Sequence, residues 1–361
     1  MHRNKKEIMS NRIEAIQNIE KARKSKVICY LTGDRQPFIT NIGEDVISIL
    51  FRHLELMGKQ KNIDLFLYTR GGDMVVPIRI VKLIRNYCDK FSILVPYRCH
   101  SAGTLICLGA DEIVMTKLAE LTPVDPTSNN HPFNPIGPNP ANPMQQMMLP
   151  ISVEDVRSYL DFAKEKLDAQ DHQIVDLYSK MTTHAYQNGT HLHPLALGNV
   201  YRVQKMIKII TRKLLELHFK NFDGKENHQI DHIIKKITED ISVHNYPIYF
   251  DEAQDLGLNV QNADKKIGTL IWDLFELYSQ EMQLTSPFNL IEKIGAEDKV
   301  NKNYTGAYIE SSSSEDVFNF SYEIKKTLQQ QVNQLGQLFT LPNAPVSLNF
   351  DITKMQWKRE R

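Results

Sequence analysis

The chain has 361 residues, of which 42% are hydrophobic, so it can bury the core of one large domain and a smaller one. Basic and acidic residues balance at 43 each, and the net charge of zero gives no reason to expect a nucleic acid partner. No apolar run approaches the ~20 residues of a membrane span, and no apolar signal core begins the sequence. We therefore expect a cytoplasmic protein. Among the four cysteines no C-x-x-C spacing occurs, so Cys99 and Cys107 are predicted to be small packing residues.

The first third of the chain alternates predicted helices and strands. Residues 5–24 have the spacing of an amphipathic helix, with the basic residues between Arg3 and Lys26 on its solvated face. Two strand–turn–helix units then follow a strand and a second helix. The predicted elements are a strand at 26–31, a helix at 43–58, strands at 63–69, 91–96 and 111–115, and helices after residues 73 and 101. This alternation predicts an α/β fold with parallel strands and right-handed crossovers.

The segment 122–150 is dense in proline and asparagine and is predicted to lack regular structure. It is interpreted either as a lid over a functional site or as a disordered insertion. Helices at 152–182, 197–219 and 228–241 and a short strand at 246–250 follow it. We place a domain boundary here, with one domain over 1–261 and a second over 262–361.

The second domain is predicted to be a small α+β appendix. Residues 317–324 and 346–352 alternate apolar and polar side chains, which is typical of half-buried strands. The glutamine-rich sequence KTLQQQVNQL between them is predicted to form a helix.

Small residues follow two neighbouring predicted strands. Gly71 and Gly72 let a substrate carbonyl approach the backbone, and their N–H groups could stabilise an oxyanion. Ser101 opens a helix, where its hydroxyl would be exposed beside the N–H of Ala102. Acyl transfer needs a nucleophile next to an oxyanion hole, and this pattern supplies both. The alternative is that Ser101 only caps the helix.

The two units carry a family resemblance in TRGGDMVVPIRIVKLIR, VPYRCHSAGTLICLGADEIVM and LAELTPVDP, and in the later HNYPIYFDEAQDLGLNV. Over roughly residues 10–260 the chain resembles the serine dehydrogenase proteinase family, which is similar to signal peptide peptidase A and the Clp proteolytic subunit. The resemblance implies a Clp-protease/crotonase spiral of ββα units and a homo-oligomer. It also implies Ser101 as the nucleophile and the N–H groups of Gly72 and Ala102 as oxyanion donors.

The general base does not carry over directly from either relative. In signal peptide peptidase A it is a lysine, but no lysine lies between Lys117 and Lys164. In the Clp subunit it is a histidine, and Asp125 stands at roughly that place here, while His244 stands where the Clp acid would be. We therefore predict a triad of Ser101, His244 and Asp125 with exchanged roles, because a triad is defined by geometry rather than chain order.

Other side chains are alternatives for the base. His193 precedes the helix that resembles the one lining the Clp active site, His131 lies in the Pro/Asn-rich segment, and His100 adjoins the serine. A lone histidine is more often a structural residue.

These observations predict a serine-type endopeptidase that hydrolyses polypeptide through an acyl-enzyme and needs no metal or other cofactor. No Walker-type sequence occurs, so ATP-driven unfolding of a substrate would come from a regulatory partner protein. Two alternatives remain open. One is a non-catalytic oligomeric scaffold of the same fold, and the other is a crotonase-like acyl-CoA enzyme in which Ser101 would be dispensable.

Overall fold

The computed structural model describes residues 5–124, 127–128, 131–139, 142–183, 193–219, 224–241, 245–328, 330–332, 338–340 and 346–361. The helices are α1 (Lys5–Arg23), α2 (Val46–Met57), α3 (Val76–Arg85), α4 (Ala102–Leu108), α5 (Val153–Leu167), α6 (Asp171–Thr183), α7 (Pro194–Leu215), α8 (Gly224–Lys235), α9 (Phe250–Asp255), α10 (Lys265–Glu281) and α11 (Leu290–Ile294). A π-helical turn, Lys236–Asp240, continues α8.

The strands are β1 (Lys26–Thr32), β2 (Gln60–Tyr68), β3 (Cys88–Val95), β4 (Arg98–Cys99), β5 (Glu112–Met115), β6 (Glu120–Leu121), β7 (Thr127–Ser128), β8 (Ile136–Asn139), β9 (Asn142–Met148), β10 (Ile151–Ser152), β11 (Val260–Asn262), β12 (Lys299–Ser311), β13 (Glu315–Leu328), β14 (Gln330–Val332), β15 (Leu338–Thr340) and β16 (Val346–Arg359). Among the residues described, no helix is long and apolar enough to cross a bilayer.

Within the described chain, eight strands form one sheet in the order β11-β5-β3-β2-β1-β12-β13-β16. The strands from β11 to β1 are parallel, which confirms the predicted α/β alternation. Their buried side chains pack under α2, α3, α4 and α7 on one face and under α1 and α10 on the other. Cys99 and Cys107 lie in this core with their sulfurs 3.4 Å apart.

A second, small layer crosses the carboxyl ends of the parallel strands. Thr69 forms a parallel bridge with Cys99, β4 pairs with β6, and Leu121 forms an antiparallel bridge with Ile248. The predicted strand at 246–250 is reduced to this single bridge. The main sheet together with this layer is the architecture of the Clp-protease/crotonase class, and it brings the two predicted turns side by side.

Two segments differ from their sequence-based predictions. Residues 122–150 are not wholly irregular, because β8 and β9 form an antiparallel hairpin. Its prolines are accommodated because the hairpin lies outside the main sheet and has an irregularity after Pro138. The glutamine-rich helix is wrong: β13 continues to Leu328 opposite β16, and Gln330–Val332 pairs with β15. Cross-strand pairing outweighs the helix preference of glutamine.

One basic residue on the predicted solvated face of α1 is in fact buried. Arg12 is only 1% exposed, because three carboxylates distant in sequence surround it, from Glu281, Glu310 and Glu315. The domain boundary at residue 262 stays a prediction. The strands beyond it extend the central sheet, since β12 pairs antiparallel with β1.

Candidate active site

The first turn, Gly71-Gly72, has a backbone that only glycine adopts readily. Its φ angles are 111° at Gly71 and 151° at Gly72. The N–H of Ile42 donates to the carbonyl of Gly71 at 2.8 Å, and the N–H of Asp73 donates back to Ile42 at 2.9 Å. A Cβ on Gly72 would clash with the backbone of Ile42. The turn is therefore held tightly against the segment before α2.

The second turn holds Ser101 in a strained conformation. Its φ of 50° and ψ of −109° lie outside the regions that side-chain-bearing residues favour, and such strain clusters at functional sites. Ser101 stands at the N-cap position of α4, yet its hydroxyl caps no helix N–H. Its Oγ instead lies 3.8 Å from the sulfur of Met74. The capping interpretation of this serine is therefore wrong.

The two turns are in direct contact. Strand-like hydrogen bonds of 3.0 Å join Thr69 to Arg98 and His100 to Thr69. A Cβ on Gly71 would stand 2.9 Å from the Cβ of Ser101 and 3.3 Å from the N of Ala102. The glycine therefore allows the first turn to lie against the serine.

Two backbone donors stand at this junction. Among the residues that the structure describes, the N–H groups of Gly72 and Ala102 have no hydrogen-bond acceptor. Ala102 is also the first residue of α4, so its N–H lies at the positive end of the helix dipole. Unpaired, oriented N–H groups beside a hydroxyl are what stabilisation of an oxyanion requires.

Thr122 orients the serine from the neighbouring strand layer. Its Oγ1 accepts the N–H of Ser101 at 2.9 Å, and its backbone carbonyl accepts the hydroxyl of Thr104 at 2.8 Å. Both threonines are buried. Neither Thr122 nor Met74 was predicted as a site residue, although Thr122 lies in LAELTPVDP and Met74 in TRGGDMVVPIRIVKLIR, two motifs of the family resemblance.

Charged side chains connect the two turn segments. Asp34 accepts hydrogen bonds from Arg70 at 2.8 Å and from Arg98 at 2.9 Å, which links one residue of each turn segment. The ring of His100 lies 3.0 Å from Glu120 through its Nε2. His100 therefore contacts β6.

The structure describes the alternative bases but not the predicted base and its acid. His244 and Asp125 lie outside the described residues. His193 is the N-cap of α7, where its Nδ1 accepts the N–H of Leu195 at 3.1 Å, and its ring stacks on Phe133 with centroids 4.1 Å apart. His131 accepts the N–H of Phe133 through its Nδ1 at 3.4 Å. His193 and His131, two of the alternative bases, therefore both make structural contacts.

Both turns lie in a part of the chain that matches the model of a known family. Residues 2–139 match the model of the ClpP-like SDH-type serine proteinase family. The matched region contains both turns, including Gly71, Gly72 and Ser101. The resemblance predicted from the motifs is therefore confirmed over residues 2–139, and this match supports a ClpP-like serine peptidase.

Two uncharacterized proteins of Methanocaldococcus jannaschii are similar to this chain over most of its length. One is 26% identical over 287 residues, covering 77% of this chain and 82% of that protein. The other is 28% identical over 281 residues, covering 75% of this chain and 77% of that protein.

Solved structures show weaker similarity. A membrane-bound stomatin-specific protease mutant in complex with a substrate peptide is 19% identical and has a TM-score of 0.24. The alignment covers 38% of this chain and 58% of that one. An enoyl-CoA hydratase from Mycobacterium avium subsp. paratuberculosis is 11% identical, with 64% and 91% coverage and a TM-score of 0.24.

Proposed function

We propose that this protein is a serine endopeptidase that hydrolyses polypeptides through an acyl-enzyme on Ser101. The observation that carries the proposal is the strained backbone of Ser101, whose hydroxyl caps no helix N–H and whose N–H is held by Thr122. A serine that only capped α4 would have a β-region backbone and would accept a helix N–H. Backbone strain that is not compensated by a capping hydrogen bond favours a catalytic role.

In the proposed reaction the Oγ of Ser101 attacks the carbonyl carbon of a peptide bond and loses its proton to the general base. The N–H groups of Gly72 and Ala102 hold the resulting oxyanion. The C–N bond then breaks, the amine leaves with the proton from the base, and an ester remains on Ser101. Water, deprotonated by the same base, hydrolyses that ester and restores the serine.

His244 is proposed as the base, and Asp125 as the acid that orients it. The placement rests on the resemblance, because His244 stands where the Clp acid is expected and Asp125 stands near the missing histidine. Among the described neighbours, Val124, which precedes Asp125, donates its N–H to the carbonyl of Ile237 at 2.9 Å, and Leu121 and Ile248 exchange backbone hydrogen bonds. His193 is the alternative, and its capping contact leaves only its Nε2 for proton transfer.

The experiment is labelling of the purified protein with a fluorophosphonate probe, which reacts covalently with activated serines. Wild type is compared with Ser101→Ala, His244→Gln, Asp125→Asn and His193→Gln, each checked for an intact fold by circular dichroism. We expect labelling of wild type, none of Ser101→Ala, and a loss of about 100-fold or more in rate for His244→Gln. Asp125→Asn should also lower the rate.

The outcomes separate the alternatives. Labelling that persists in Ser101→Ala contradicts the proposed nucleophile. Full-rate labelling of His244→Gln, with loss in His193→Gln, transfers the base to His193. Wild type that neither labels nor cleaves unfolded polypeptide contradicts the peptidase proposal and favours a scaffold. Turnover of an acyl-CoA that survives Ser101→Ala would favour the crotonase-like alternative.

A further inference from the structure

Strand β16 is the long free edge of the central sheet. It has 14 residues, whereas β11 at the opposite edge has 3. β13 pairs with its inner side from Val346 to Arg359. In the described chain no strand pairs with its outer side. Such a row of unpaired N–H and C=O groups is a template for another strand.

The side chains of β16 sort into two faces. Residues paired with the aromatic face of β13 are apolar, and those on the other face are polar or charged. The apolar face is formed by Leu348, Phe350, Ile352, Met355 and Trp357, and the polar face by Ser347, Asn349, Asp351, Lys354, Gln356 and Lys358. Met355 is 61% exposed and Ile352 is 36% exposed, so apolar area lies open at the middle of this edge.

A β-bulge lies at the centre of the strand. Ile352 pairs with Tyr322 and Lys354 pairs with Ser321, which leaves Thr353 as the extra residue. In a regular strand, residues an odd number of positions apart lie on opposite faces. Because of the bulge, Asp351 and Lys354 share a face although they are separated by an odd number of positions.

This geometry makes the edge complementary to itself. About a two-fold axis between residues 352 and 353, an antiparallel copy would place Asp351 opposite Lys354 twice. Phe350 would then face Met355. The same axis pairs Leu348 with Trp357, Asn349 with Gln356, Ser347 with Lys358, and Ile352 with the bulged Thr353. Opposite charges thus meet at the centre of the strand, and every apolar side chain of the apolar face except Ile352 meets another apolar one.

We propose that two copies of the protein associate by antiparallel pairing of their β16 strands about this axis. The contact is isologous, with the same surface on both subunits, and therefore closes as a dimer. It does not depend on the proposed peptidase function. Strands β2, β1, β12 and β13 separate β16 from β3, so pairing at this edge leaves the turn of Ser101 uncovered.

Charge reversal tests the proposed register. Sedimentation velocity over a concentration series should give a dimer of wild type, twice the 41.7 kDa chain. Lys354→Asp and Asp351→Lys each place like charges opposite each other twice, and should weaken dimerisation about tenfold or more. The double variant Asp351→Lys/Lys354→Asp restores opposite charges and should return the Kd to within about threefold of wild type. Lys358→Asp, on the same face but opposite the uncharged Ser347 of the copy, is the matched control.

Cysteine cross-linking tests the same axis independently. Asn349→Cys mixed with Gln356→Cys should form a disulfide-linked heterodimer on oxidation, whereas either variant alone should not. Three native cysteines are buried and Cys88 is only partly exposed, so background linking is small. A monomer at every concentration would overturn the proposal. So would a dimer whose Kd is unchanged by both single reversals, or self-linking of Asn349→Cys alone. Ser101→Ala should dimerise as wild type does.

Discussion

Gly71 lies so close to Ser101 that a Cβ on the glycine would stand 2.9 Å from the Cβ of the serine. Real Cβ atoms do not approach this closely, and Gly71 also has a φ of 111°. The position therefore requires glycine for two separate reasons, space and backbone conformation.

Gly71→Ala should push the two turns apart and abolish fluorophosphonate labelling of Ser101. The displaced serine loses its place beside the backbone donors, and such displacement costs about 100-fold or more in rate. Gly268→Ala in α10 is the matched control, because its added Cβ meets only ordinary contacts, the nearest at 3.6 Å. Labelling of Gly71→Ala at the wild-type rate would contradict the role given to the contact.

Thr122 should act as a positioning residue for Ser101. Thr122→Val keeps the shape but leaves the buried N–H of Ser101 without its acceptor, which costs about 1–3 kcal/mol. We expect slower labelling and a lower midpoint of urea unfolding, whereas Thr122→Ser should restore both. If Thr122→Val lowers stability but Thr122→Val and wild type label at equal rates, the threonine is purely structural.

His53 should make the folded state weaker in mild acid. It is buried between Ser311 Oγ and Asp316 Oδ2, each 3.1 Å from a ring nitrogen, with Arg52 and Arg359 also nearby. Burial lowers the pKa of His53 below its ordinary 6.5, despite the opposing effect of Asp316. As the pH is lowered, the unfolded chain therefore takes up a proton at a higher pH than the folded protein does. The contribution of His53 to stability is full above pH 6.5 and is lost progressively below it.

The measurement is the free energy of unfolding in urea at several pH values for wild type and His53→Gln. Below pH 6.5 the free energy of unfolding of His53→Gln should decline less steeply than that of wild type. His218, whose pKa burial also lowers, contributes with the same sign, so His53→Gln/His218→Gln should show the flattest profile. A wild-type slope retained in full by His53→Gln would count against this assignment.

Arg12 should be among the most costly positions to replace. Its Nε donates to Glu310 at 2.8 Å, its other nitrogens bind Glu281 and Glu315, and it lies 4.9 Å from the ring centroid of Tyr308. Arg12→Met leaves these carboxylates without their shared cation, and breaking a buried pair in this way costs about 3–5 kcal/mol. Lys21→Met, at an exposed position of the same helix, is the control. Urea unfolding of both variants gives the comparison.

Glu315 should oppose His53 in the pH profile. Burial, followed by the charge of Glu310, raises the pKa of Glu315 from 4.5 to about 7. Its folded state holds the proton more tightly, so the contribution of Glu315 to stability is full below 4.5 and is lost as the pH rises through about 7. Glu315→Gln should remove that loss and steepen the rise of stability with pH in this interval. An unchanged profile would contradict the raised pKa.

The sequence alone was sufficient for the α/β order of the first third of the chain and for the position of the turn that carries Ser101. The second halves of strands such as β2 and β3 are mostly apolar, and glycines mark the turn at Gly71-Gly72, so the signals are local in sequence. The family motifs around Ser101 are local for the same reason. Periodicity also found β13 and the first half of β16.

Tertiary structure decided the features that depend on residues far apart in the chain. The burial of Arg12 depends on Glu310 and Glu315, about 300 positions away, and no sequence pattern within α1 predicts those partners. The segment predicted as a glutamine-rich helix is strand in its described part, because β16 pairs with Lys326–Leu328 and β15 pairs with Gln330–Val332. The strained backbone of Ser101 likewise depends on Thr122 and Gly71 meeting it from two other segments, since strain persists only where surrounding contacts hold it.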